Sequence, residues 1–175
     1  PDQADRVAEM IRVMGLVGVN LTVPFKERIL GNLDGLTAAA PEAGAVNVVT
    51  HLDGALMGYN TDGEGFVRSL SEEGGPDPAG LHAVILGAGG AARAVASGLL
   101  DRGAAGITFL NRTIPRAEEA ASALQSGFPS AVFDVGPLNA EGFSSAISET
   151  QLVVNCTSGP AAEVVAGLNP ALLCD

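Results

Sequence analysis

The chain has 175 residues, one domain or slightly more at about 150 residues per domain. Its formal net charge of −11 repels a phosphate backbone and excludes general nucleic-acid binding, while leaving room for one small-anion site. Hydrophobic residues make up 47%, which excludes wholesale disorder; with aromatics at 4% and no Trp, the core must come from Ala, Val, Leu and Ile.

Residues 3–14 set Val7, Met10, Ile11 and Met14 at helical spacing, with Gly15 as a stop. Val17–Val23 reads as a short strand closed by Pro24, and Phe25–Leu33 as helical. Ala45–Leu52 is β-rich, Asp53-Gly54 is a hairpin turn, and Ala55–Tyr59 is the returning strand. Thr61 or Asp62 caps a helix running to about Leu70. The breaker-rich stretch from Glu73 to Pro78 is the expected domain boundary. Strands and helices then alternate: His82–Leu86, Gly89–Arg102, Gly106–Leu110, Pro115–Gln125, Ala131–Val135, Ala140–Ile147 and Leu152–Asn155. Apolar strands alternating with helices predict a parallel sheet covered on both faces. The chain opens at Pro1 directly before a helix and stops after Ala171–Cys174, which reads as an unfinished strand; a fragment of a longer protein is expected.

No apolar run reaches the ~18–20 residues that span a bilayer, and nothing reads as a signal peptide, so no membrane association is expected. Cys156 and Cys174 form no CxxC pair; a reduced, cytoplasmic setting is expected, with a disulfide between them left open. His51 and His82 lie in or beside strands without ligand-spaced partners and read as structural, so no metal is expected.

Gly87-Ala88-Gly89-Gly90-Ala91-Ala92 follows a strand and opens a helix in a GxGxxA pattern. Gly87 suits the tight turn, Gly89 lets backbone approach a diphosphate, and the small Ala92 lets the helix pack closely on its strand. The helix N-terminus offers free N–H groups and partial positive charge to phosphate. The alternative is a purely structural turn. The next strand ends in Asn111-Arg112-Thr113, beginning 24 positions after Gly87. That turn lacks the carboxylate that holds an NAD ribose; Arg112 and Arg116 instead offer guanidiniums to a 2′-phosphate, with the Thr113 hydroxyl nearby. NADP is favoured over NAD. A solvated Arg pair, or an Arg116 pairing with Glu118 or Glu119, is the competing reading.

Lys26 is the only lysine, at the end of Asn20-Leu21-Thr22-Val23-Pro24-Phe25-Lys26, and a second polar cluster, Asn60-Thr61-Asp62-Gly63, ends the hairpin. A Lys beside an Asp can exchange protons with a hydroxyl.

The segments NLTVPFK (20–26), GAVNVV (44–49), GYNTDGEG (58–65), ILGAGGAARA (85–94), NRTIPRAEE (111–119) and NCTSG (155–159) together resemble shikimate dehydrogenase. The resemblance implies an α/β protein with a Rossmann-like, doubly wound parallel sheet preceded by part of a smaller α/β substrate domain. It places the substrate-binding (catalytic) part in residues 1–75 and an NADP-binding, C-terminally incomplete Rossmann domain in 76–175. The implied activity is NADP-dependent interconversion of 3-dehydroshikimate and shikimate. Lys26 and Asp62 stand at the family's catalytic pair, and Thr22 and Asn47 at positions that bind substrate hydroxyls with them. Cofactor contacts fall on Gly87, Ala88, Gly89, Gly90, Ala91, Asn111, Arg112, Thr113, Arg116 and Thr157. The family's serine-bearing strand precedes this segment, and the part closing the sheet follows it. A quinate/shikimate enzyme of broader use and a catalytically silent NADP-binding regulator are the alternatives; a homodimer is left as an open expectation.

Overall fold

The computed structural model describes residues 3–22, 24–157 and the backbone of a strand at 173–174. Val23, Ser158, the Gly159–Ala162 stretch and the Cys174 side chain, on which a disulfide would depend, lie outside the described residues.

The first helix, α1 (Gln3–Val13), ends where Gly15 turns to φ +63°, a conformation that favours glycine. Its buried stripe is Ala4, Ala8 and Ile11, with Val7 packed beside it; of the expected stripe Val7 and Ile11 face the core, while Met10 and Met14 are 55% and 62% exposed. The two alanines let the helix sit close on Val49 and Leu56 of the sheet beneath. The strand β1 (Gly18–Asn20) is shorter than the apolar run containing it. The helix expected over Phe25–Leu33 breaks into α2 (Phe25–Arg28) and a 3₁₀ turn at Leu30–Asn32, with the intervening Ile29 fully buried. Two short elements, β2 (Gly35–Leu36) and α3 (Ala39–Ala43), precede the hairpin of β3 (Val48–Leu52) and β4 (Ala55–Tyr59). The hairpin turn has Asp53 at φ +50° and Gly54 at +82°, the paired positive values of a type I′ turn. The first sheet runs β1-β3-β4-β2, antiparallel except where β2 joins β4.

The helix α4 (Asp62–Glu72) leads into the second sheet. Its strands are β5 (His82–Leu86), β6 (Gly106–Asn111), β7 (Val132–Pro137), β8 (Leu152–Asn155) and β9 (Leu173–Cys174), separated by α5 (Gly90–Asp101), α6 (Ile114–Gln125) and α7 (Ala140–Ala146). All five strands are parallel, in the order β7-β6-β5-β8-β9. Alternate strand residues supply two cores. Ala83, Ile85, Ile107, Phe109 and Val154 pack under α5 and α6, while Val84, Leu86, Leu110 and Val153 pack with Phe143 of α7. The sheet is thus doubly wound, as the strand–helix alternation predicts. Val67 and Leu70 of α4 join the first of these cores, so this helix is buried against the second sheet although it follows directly from the hairpin of the first.

Candidate active site

Three backbone segments from the first sheet converge at the polar cluster. The Val46 N–H donates to Lys26 O (2.7 Å), the Leu21 N–H to Asn47 O (2.8 Å), and the Asn47 N–H to Tyr59 O (3.0 Å). These bonds bring the end of β1, the start of β3 and the end of β4 side by side. Asp62 is then set by its place at the start of α4: its N–H donates to Asn60 Oδ1 (3.0 Å), and the buried Asn60 donates to Ala45 O (3.0 Å).

On this frame Lys26 Nζ donates to Asp62 Oδ2 at 2.7 Å, and Asn47 Nδ2 donates to Asp62 Oδ1 at 2.6 Å. Asn47 also donates to Thr61 Oγ1 (2.9 Å) and accepts from the Thr61 N–H (3.0 Å). Both carboxylate oxygens of Asp62 are therefore engaged, one by an ammonium and one by an amide. Lys26 and Asp62 side chains are 22% and 28% exposed, so the pair is partly desolvated yet reachable. Such a pair can hold a proton beside a bound hydroxyl or carbonyl oxygen and release it.

Lys26 and Thr22 open onto a cleft of about 340 Å³ whose other wall is Gly90, Ala91 and Arg116 from the second sheet's side. Lys26 of the polar cluster and Gly90 at the end of the glycine loop thus face one space. The loop itself has the geometry that its glycines suggest. Gly87 sits at φ +106°, and a Cβ there would also press to 3.0 Å from Cys156 O. A Cβ on Gly89 would meet nothing within 4 Å, so the backbone there stays open to a ligand. A Cβ on Gly90 would stand 2.9 Å from the Ala45 Cβ; this glycine serves the contact between the two sheets' layers.

Arg112 and Arg116 are exposed at the carboxyl edge of β6 and in the first turn of α6, and among the described residues neither forms an ion pair. Asn111 Nδ2 donates to Thr113 O at 2.9 Å and shapes that turn. The Thr157 hydroxyl and N–H both donate to Asn155 Oδ1, at 2.8 and 3.1 Å, beside the glycine loop. Ala88 lies within that loop and packs on the core under α5. Cys156 is half-buried against the core under α5 and α6, and burial pushes its thiol up to about 11. His51 Nδ1 lies 3.2 Å from Leu16 O, and among the described residues no three His, Cys, Asp or Glu side chains gather as a metal site.

Glu27 went unassigned in the sequence. Its Oε1 accepts from the Gly90 N–H at 3.2 Å and lies 3.9 Å from an Arg93 guanidinium nitrogen. The partners are separated by 63 positions, so no local pattern announces the contact.

Comparison with known proteins agrees with this layout. Residues 1–49 match the family described as shikimate dehydrogenase substrate binding domain, and residues 69–167 the family described as shikimate / quinate 5-dehydrogenase. The shikimate dehydrogenase (NADP(+)) of Symbiobacterium thermophilum is 45% identical over 157 residues, covering 90% of this chain and 53% of that protein. The shikimate 5-dehydrogenase of Listeria monocytogenes, solved with shikimate and NAD, superposes with a TM-score of 0.83 at 30% identity, over 99% of this chain and 64% of that one. The Thermus thermophilus enzyme, solved with NADP(H) and shikimate, gives 0.70 at 36% identity, over 90% and 54%. The chain spans about half the length of the curated relatives it matches. With more than half of its residues matched by one family and its fold shared along nearly its whole length, the chain belongs to the shikimate / quinate 5-dehydrogenase family.

Proposed function

We propose that this chain carries the catalytic centre of an NADP-dependent shikimate dehydrogenase. The observation that carries the reading is the Lys26–Asp62–Asn47 hydrogen-bonded set, whose Lys26 opens onto the same cleft as Gly90 at the start of α5. Residues 1–75 would hold the substrate and 76–175 the cofactor, with α4 tying the two together through its place in the core under α5 and α6.

The cofactor fits the residues present. The open backbone at Gly89 and the N-terminal end of α5 suit a diphosphate, and the exposed guanidiniums of Arg112 and Arg116 suit a 2′-phosphate. The dinucleotide held there would, when bound, supply a hydride to a carbonyl carbon. Lys26 donates its ammonium proton to the oxygen of that carbonyl as negative charge develops there, yielding the hydroxyl of shikimate. In the reverse direction neutral Lys26 accepts the hydroxyl proton. Asp62 orients Lys26 through Oδ2, and Asn47 fixes Asp62 through Oδ1; Thr22 and Asn47 contribute hydrogen bonds to the substrate's hydroxyls. Asn111, Thr113 and Thr157 line the cofactor side.

The test is reduction of NADP⁺ with shikimate by the complete protein carrying this sequence, with NAD⁺ and quinate in parallel. Fast turnover with NADP⁺ and shikimate alone supports the reading. Comparable rates with quinate or NAD⁺ support a broader enzyme, and silence in a folded NADP-binding protein supports a regulator. No described helix is long and apolar enough to cross a membrane. A cytoplasmic setting and a homodimer complete the proposal, the latter checked by sedimentation.

A further inference from the structure

We propose that Glu27 is a positioning residue that holds the first turn of α5 in place of the cofactor diphosphate and must yield when the dinucleotide binds. The inference rests on the reading of α5 as the dinucleotide helix and deepens it.

The first N–H groups of a helix have no partner within it and attract one anion or another. On α5 the cap position is Gly89, which has no side chain to satisfy them. The Gly90 N–H is instead taken by Glu27 Oε1 at 3.2 Å, a carboxylate delivered from the residue next to Lys26. The same oxygen lies 3.9 Å from Arg93, one turn further along α5. Arg93 reaches this point beneath the αL residue Gly44, where a Cβ would stand 2.7 Å from the guanidinium carbon. Its side chain is 15% exposed, and its Nε is buried with no hydrogen-bond partner among the described residues.

Two negative groups cannot share that end of the helix. A diphosphate approaching the open backbone at Gly89 meets the Glu27 carboxylate on the neighbouring N–H and must repel or replace it. The Glu27 side chain is 51% exposed, so it can turn out to solvent without leaving a cavity. Its departure would free both the Gly90 N–H and Arg93 for phosphate oxygens. Because Glu27 follows Lys26 in α2, the exchange also removes a contact between α2 and α5 as the cofactor arrives.

Calorimetric titration of the complete protein with NADP⁺ and with adenosine 2′-monophosphate, which lacks the diphosphate, separates the outcomes. In Glu27→Gln the carboxylate charge is gone but an acceptor oxygen remains; in Glu27→Ala both are gone. Both variants are expected to bind NADP⁺ about three- to tenfold more tightly than the wild type, in the range that a charge at a helix end commands. Their affinity for adenosine 2′-monophosphate stays within about twofold. Equal or weaker NADP⁺ binding by the variants, or an equal change for both ligands, overturns the proposal. A wild-type protein that binds neither ligand overturns the dinucleotide reading itself and the proposal with it. Circular dichroism of each variant checks the fold, and the near-isosteric Gln variant carries the test if Ala does not fold.

Discussion

Gly63 backs directly onto Gly98 where α4 crosses α5: a Cβ on Gly98 would stand 2.5 Å from the Gly63 carbonyl oxygen. This crossing brings α4 down on the second sheet, and Asp62 is the residue immediately before Gly63. The glycine after Asp62 is therefore a packing requirement that fixes where the carboxylate lies.

Gly63→Ala is expected to destabilise the fold by about 1–3 kcal/mol, the cost of forcing atoms into a close-packed contact. Gly65, on the same helix, has open space around its Cβ position. Gly65→Ala should gain about 0.5–1 kcal/mol from helix propensity. Urea unfolding of the two variants beside the wild type checks both signs.

Asn47 binds the Asp62 oxygen that Lys26 does not. Asn47→Ala should leave Asp62 free to rotate and lower kcat by about 10–100-fold, below the full worth of an acid–base group. NADP⁺ affinity should stay within about twofold. Steady-state kinetics and a binding titration read the two quantities separately.

Arg112 and Arg116 are exposed without ion-pair partners among the described residues. Replacing both by Ala should weaken NADP⁺ binding by about 10–100-fold, the loss of charge-assisted bonds to phosphate. NAD⁺ binding should hardly change, since NAD⁺ carries no 2′-phosphate. The ratio of the two dissociation constants is the measurement.

Much of the second sheet was legible because each strand is a short apolar run bounded by breakers: β5 and β8 occupy the stretches expected, as does β4 after its Asp53-Gly54 turn. The failures share a cause in tertiary packing. In α1 two of the three buried positions are alanines, which a count of large apolar residues passes over. The two-residue β2 and the five-residue α3, with Pro41 inside it, are too short to show a period. Lys26 and Asp62 were paired by the resemblance, their 36-residue separation giving no local signal. Glu27 was missed because its contact crosses between the two halves of the chain.

Two carboxylates should respond to pH with opposite sign. The Leu56 N–H and then the Arg12 guanidinium hold Asp34 below the ordinary carboxylate range. Its contribution to stability is present above the unfolded value near 3.8 and is lost as pH falls through the lower folded value. Partial desolvation, and then the charge of Glu42, raise Asp101, although the residue stays exposed. Its contribution is present below the unfolded value and is lost as pH rises through the raised one. Asp34→Asn should therefore lower Tm at neutral pH and Asp101→Asn should raise it, with both differences closing in acid. Thermal unfolding across pH 3–8 of the two variants reads this out, the range being set to about one unit below and several above a carboxylate's titration.

In the proposed reaction Lys26 is the proton-handling group of the site, and the glycine loop, not Lys26, binds the cofactor. The most direct measurement is turnover with shikimate together with NADP⁺ affinity in Lys26→Ala of the complete protein. A loss of about 10²–10⁴-fold in kcat is expected, the worth of a general acid–base group, with NADP⁺ binding within about threefold of the wild type. Wild-type-like turnover in that variant would contradict the proton-handling role.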